Sequence, residues 1–177
     1  MDKRPGDLER IEIKEYLTDQ TYDLNLFGSG LVYHSEPFAR DSELSGWVRL
    51  FAWMEIDVPD TDFIVSLSEV STDGKAIRLT QDIQRARYRE SSRAEKLAVP
   101  GVINLYTFEG FTFFSRRISK GSRLRLVIRC PNTIYLEKNY NSGGVVAEES
   151  GRDARIAHVK LYHYAEHPSR LELPERG

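Results

Sequence analysis

Residues 47–56 alternate without a break. Val48, Leu50, Ala52, Met54 and Ile56 form one wholly apolar face, and Trp47, Arg49, Phe51, Trp53 and Glu55 form the other. Successive side chains of an extended strand point to opposite faces, whereas a helix repeats every ~3.6 residues. The stretch therefore reads as a β-strand with one face in a core. Its second face is half aromatic, which suits a central strand with something large packed on its back.

The same period recurs along the chain. Residues 63–70 and 76–79 flank Ser71-Thr72-Asp73-Gly74-Lys75, an Asp-Gly turn signal, and so predict a hairpin. Residues 85–89 alternate with Arg85, Arg87 and Arg89 on one side, and polar residues 91–96 read as a short helical turn. Residues 102–108, 111–118, 123–129 and 156–164 read as further strands, with a short alternating piece at Leu171-Glu172-Leu173. Residues 131–151 look like loop, with Asn139-Tyr140-Asn141-Ser142-Gly143-Gly144 at the centre. Many short strands separated by Gly, Pro and Asp turns predict an all-β sandwich or barrel. Residues 1–20 are acidic and weakly periodic, and read as an N-terminal arm or short helix ahead of a β-domain at 21–177.

A chain of 177 residues fits one domain and is long enough to bury a core without disulfides. The single cysteine, Cys130, can form neither an internal disulfide nor a zinc site by itself, and reads as a buried, inert thiol. The longest apolar run, residues 50–54, is far short of the ~20 residues that span a bilayer. No leader pattern opens the sequence, so a cytoplasmic protein without membrane association is expected. Charge is uneven: residues 75–129 hold 13 Lys or Arg against 4 Asp or Glu, although the whole chain has a net charge of −2. The basic residues are scattered over several predicted strands and no nucleic-acid motif accompanies them. A face meeting a protein partner is therefore expected, and nucleic-acid binding is not.

Catalytic signatures are missing. No G-x-S-x-G elbow occurs, and Gly28-Ser29-Gly30 fails the dinucleotide pattern because Tyr33 stands at the third glycine. His163-Tyr164-Ala165-Glu166-His167 matches H-x-x-E-H, but the surrounding pattern is extended and Pro168 follows at once. Four residues of strand span ~13 Å, too far for two ligands of one zinc. Asp57, Asp60 and Asp62 could hold calcium, although turn chemistry accounts for them as well. No cofactor or metal is expected. Trp47, Phe51 and Trp53 suit either a sugar-stacking platform or an interdomain or oligomer contact, and interface chemistry favours the second.

Several segments, taken in order, resemble one family. They are Leu31-Val32-Tyr33-His34-Ser35-Glu36-Pro37-Phe38 with Glu43-Leu44-Ser45-Gly46, and then Pro59-Asp60-Thr61-Asp62-Phe63 with Leu67-Ser68-Glu69-Val70 and Asp73-Gly74. Arg85-Ala86-Arg87-Tyr88-Arg89, Ile118-Ser119-Lys120-Gly121-Ser122-Arg123-Leu124-Arg125-Leu126, Asn139-Tyr140-Asn141-Ser142-Gly143 and Pro168-Ser169-Arg170-Leu171-Glu172-Leu173-Pro174 follow. Over roughly residues 20–175 the chain resembles the C-terminal β-domain of the X-Pro dipeptidyl-peptidase and cocaine-esterase family of serine hydrolases. It departs from that pattern with Glu69 for the usual Asp and Ser122 for a common His.

The resemblance implies a jelly-roll sandwich of the galactose-binding-like type. It also implies that the Ser-Asp-His triad lies in a separate α/β-hydrolase domain, so no catalytic residue transfers to this chain. The expected role is non-catalytic: docking on that domain, in cis or as a separate chain, shaping its active site, or forming a homo-oligomer. Trp47, Phe51, Trp53, Arg85, Arg87 and Arg89 are the expected interface. A stand-alone carbohydrate-binding module is the alternative.

Overall fold

The computed structural model describes residues 30–131 and 135–174; the expected arm at residues 1–20 lies outside them. The strands are β1 (Gly30–His34), β2 (Ser42–Gly46), β3 (Arg49–Ile56), β4 (Asp62–Val70), β5 (Ala76–Arg85), β6 (Ile103–Phe108), β7 (Phe114–Ile118), β8 (Arg123–Arg129), β9 (Val159–Tyr162) and β10 (Arg170–Glu172). One sheet has the order β1-β8-β4-β5. In a second, β3 is central, with β6 on one edge and β10 and β9 sharing the other, and β2-β7 forms a separate ribbon. Every pairing is antiparallel.

The alternation of β3 becomes the core of a β-sandwich. Leu50, Ala52, Met54 and Ile56 are buried in one cluster with Phe63, Val65 and Leu67 of β4 and Leu124, Leu126 and Ile128 of β8. Phe63 and Tyr106 meet edge to face at 5.4 Å, joining the two sheets. Burying each of the Leu, Ile, Val, Met and Phe side chains contributes about 1.5–3 kcal/mol. The predicted hairpin forms between β4 and β5. Its turn is closed by Gly74 N donating to Ser71 O at 2.9 Å, and Gly74 adopts φ 86°, a conformation few other residues tolerate.

The sheets differ on their outer faces. On the first sheet Val32, Ile64, Ser66, Ser68 and Val127 are buried, so β4 is covered on both sides. On the second, Phe51, Trp53, Ile103, Leu105 and Tyr162 are half-buried. Three local expectations change. Residues 85–89 do not continue as a strand, because β5 ends at Arg85 and Ala86–Tyr88 form a 3-10 turn. The cause is Asp60, whose carboxylate takes both the backbone N–H and the Nε of Arg87 and draws this segment out of the ladder. Residues 91–96 form turns and irregular chain rather than a helical turn. The predicted strand at 156–164 shortens to Val159–Tyr162, because the chain turns after it, His167 N donating to Tyr164 O at 3.0 Å.

Candidate functional site

Where β3 ends and β4 begins, three distant segments converge on two buried carboxylates. Asp60 accepts hydrogen bonds from Arg87 N (2.9 Å), Arg87 Nε (2.8 Å) and Asn139 Nδ2 (2.8 Å). Asp62 is held by Arg85 through Nε at 2.8 Å and a terminal nitrogen at 3.1 Å, and by the same Asn139 amide at 2.9 Å. Asn139 thus bridges the two acids, while its carbonyl accepts from Asn141 N at 2.8 Å. Arg87 reaches on to Gly144 O at 2.7 Å, and Arg89 to Ala86 O at 3.2 Å and Lys96 O at 2.5 Å. Burial disfavours the Arg87 charge, but the Asp60 bond and charge outweigh it and raise the guanidinium above its ordinary value. The Asp62 bond raises Arg85 in the same direction.

This clamp corrects the expectation of an exposed basic row. Arg87 and Arg89 are 4% and 9% exposed and point inward, and Arg85 keeps only 23% of its side chain in solvent. Arg87 can be buried because a buried ion is tolerated when a partner and hydrogen bonds satisfy it, and Asp60 supplies both. The same pairing bears on the calcium reading: two guanidinium groups and an amide already occupy the oxygens of Asp60 and Asp62. Asp57 stands apart at the surface, 2.6 Å from His158 Nδ1.

The aromatic set divides. Trp47 precedes β3, is 65% exposed, and packs edge to face with Phe113 at 5.1 Å; Phe113 is itself 54% exposed. Phe51 and Trp53 lie on the outer face of β3. The Arg170 guanidinium covers Phe51 at 4.0 Å from the ring centroid, and His167 meets Trp53 edge-on at 4.9 Å. The three rings form no single platform for a sugar. His163, Glu166 and His167 lie at a strand end and in a turn, where His167 Nδ1 pairs with the Tyr164 hydroxyl at 2.8 Å. Cys130 is half-buried, with Thr61 Oγ1 3.7 Å from its sulfur, and burial pushes its thiol up.

Sequence reasoning missed Asn139 as the bridge, Phe113 as the partner of Trp47, and Arg170 as the cover of Phe51. Asn139 was visible inside a quoted motif, but its bridging role needs Asp60 and Asp62, which local pattern does not bring near. Among the described residues no group of three or more His, Cys, Asp or Glu could hold a metal ion, and no helix is long and apolar enough to cross a membrane.

Comparison with known proteins adds independent evidence. Residues 10–172 match the family described as the X-Pro dipeptidyl-peptidase C-terminal non-catalytic domain. The cocaine esterase of Rhodococcus sp. (strain MB1 Bresler) is 31% identical over 144 residues, covering 81% of this chain and 25% of the esterase. An aminopeptidase from a marine sediment Thaumarchaeota archaeon superposes with a TM-score of 0.76 at 20% identity, over 94% of this chain and 27% of the other. An α-amino acid ester hydrolase superposes with a TM-score of 0.77 at 18% identity, over 96% and 27%. The chain therefore spans about a quarter of the length of these relatives.

Proposed function

The chain belongs to the family of X-Pro dipeptidyl-peptidase C-terminal non-catalytic domains, and from that premise we propose that it serves as the accessory β-domain of an α/β-hydrolase joined to it in cis. It docks on that domain and helps to enclose its active site. The parent enzyme hydrolyses an ester, or an amide after an X-Pro dipeptide. The observation that carries this reading is the match over residues 10–172 to a non-catalytic domain, together with a curated esterase of which the matched part is only 25%. The sequence itself agrees, holding no G-x-S-x-G elbow.

The test is to read the coding DNA upstream of the Met1 codon. The expected result is an in-frame α/β-hydrolase segment carrying G-x-S-x-G. A gene that encodes this β-domain with no hydrolase segment in frame would contradict the proposal.

A second role, self-association, has support from Trp47 and Phe113, a pair of exposed rings of the kind that anchors protein interfaces. Light scattering on Trp47→Ser tests it: a smaller species supports the role, and an unchanged one removes it.

A further inference from the structure

Beyond Trp47 and Phe113, and apart from Ile77 and Ile83 of β5 and Tyr135, the exposed large apolar side chains lie on the loops around the carboxylate clamp. Leu97, Val99, Val102, Val145 and Ile156 are between 43% and 79% exposed. Single exposed aliphatics are ordinary on any surface, but a group of them on adjoining loops marks an interaction site.

These loops are tied to one another and to the end of β3. Ala98 N donates to Pro59 O at 2.8 Å, and Gly101 N to Ile56 O at 2.9 Å. Gly143 fits so closely that a Cβ there would lie 2.9 Å from Pro59 Cγ and 3.5 Å from Leu97 Cδ1, which brings the Val145 loop against the Leu97 loop. Arg155 N donates to Tyr140 O at 2.9 Å, and Asn141 Nδ2 to Arg155 O at 2.8 Å, which places Ile156 beside the same loop. Val99 and Val102 flank a Pro100-Gly101 turn, closed by Val102 N donating to Val99 O at 3.1 Å with Gly101 at φ 80°. Proline and glycine in that order fix a turn with little freedom left to lose.

The clamp gives this surface its stiffness. Arg87 anchors Gly144, Arg89 anchors Lys96, and Asn139 anchors Asn141, so each loop hangs on a buried charge or its amide bridge. A partner binding here meets side chains already ordered, which lowers the entropic cost of association. Charged residues border the patch: Glu95 and Lys96 precede Leu97, while Glu148, Arg152, Asp153 and Arg155 lie between Val145 and Ile156. An apolar centre with a mixed polar rim is the anatomy of a protein interface.

We propose that these loops form the docking surface for the hydrolase domain, an inference that rests on the accessory-domain reading above. That occupant follows from the family match and from relatives of which this chain spans only a quarter. The patch lies at the far end of β3 from Trp47 and Phe113, because β3 starts beside Trp47 and its 8 residues run roughly 23 Å to Ile56, where Gly101 is tied. The two ends can therefore be altered separately.

The experiment replaces the matched quarter of the Rhodococcus cocaine esterase with this chain and follows thermal unfolding by calorimetry. Docked domains should unfold together, and a Val99→Asp, Val145→Asp double variant should split the transition in two. A Trp47→Asp, Phe113→Asp double variant should leave it single. The same changes in the isolated chain should hardly move its midpoint, since all four side chains are exposed; a large shift there would assign them a structural role and overturn the inference. A parent chimera that already shows two independent transitions overturns the accessory-domain reading and the surface with it. A parent chimera and patch variant that both unfold in one step overturn the surface alone.

Discussion

Strand β4 carries buried carboxylates at both ends, and the two ends are built differently. Asp60 and Asp62, at its start, are held by two largely buried guanidinium groups and a shared amide. Glu69, near its end, is 3% exposed and is held by Arg116 of β7 at 2.8 Å, with 40% of the Arg116 side chain in solvent. The first arrangement fixes three loops in one geometry. The second only ties the β2-β7 ribbon to the main sheet. Buried charge adds little net stability, but it specifies position strongly, since an ion left without its partner is costly. Where a domain must present a defined loop surface, the tighter device is used.

The comparison can be broken most severely at Asp60. Asp60→Ala removes the buried carboxylate from the Arg87 guanidinium and leaves it only the exposed Glu95 carboxylate at 3.3 Å and Gly144 O, and should cost about 3–5 kcal/mol in urea unfolding. A loss below about 1 kcal/mol would show that water or neighbours replace the carboxylate easily. Next comes Arg116→Ala, which strips Glu69 of a partner that solvent can partly replace. Its expected cost is smaller, about 1–3 kcal/mol. If it matched Asp60→Ala, the two ends would be equivalent and the contrast would fail.

Acid should separate the ends as well. His34, on the same side as Glu69, is pushed down to about 4, first by burial and then by the Arg125 and Arg123 charges. The unfolded chain therefore takes up this proton more readily than the folded one. Stability is whole above the unfolded value of ~6.5, falls as pH drops from there, and levels off below the folded value. At the clamp, Glu149 anchors Tyr140 and Gly144. Burial raises its carboxyl, but bonds from Ser142, Tyr140 N and Gly144 N and the nearby Arg87 charge leave it below its ordinary 4.5. Its contribution is present above that value and is lost only as pH falls through the lower, folded one. Amide exchange monitored as pH falls from ~7 to ~5 should loosen β1 before residues 139–149. Simultaneous loosening would contradict the ordering.

The smallest effect is expected at the exposed Arg117–Asp41 pair, 2.8 Å apart on the ribbon side. Asp41→Asn should leave the urea-unfolding midpoint almost unmoved, because water screens such pairs.

Much of this fold was legible in the sequence. The period of two in residues 47–56 named the core face of β3 side chain by side chain, because a strand with one buried face needs that period. The Asp73-Gly74 turn marked the hairpin, because a tight turn there needs a positive φ. Resemblance identified the family from several short segments. The Arg85–Arg89 segment misled for a physical reason. Arginine is usually exposed, and the carboxylate that buries Arg87 lies 27 positions earlier in the chain. A local pattern carries no record of such a partner. Trp47, Phe51 and Trp53 share a parity and so read as one face. Their separation depends on Phe113 and Arg170, which arrive from other strands or loops. The exposed aliphatics around the clamp were invisible for the same reason, since loops that lie far apart in sequence bring them together.

The central claim is that this chain serves a hydrolase without doing the chemistry, and hydrolysis of p-nitrophenyl esters and X-Pro anilides by the purified chain tests it most directly. The account predicts no turnover by the isolated chain at any concentration, and ester hydrolysis by the chimera in which it replaces the matched quarter of cocaine esterase. Turnover by the isolated chain that scales with its concentration and survives repurification would contradict it.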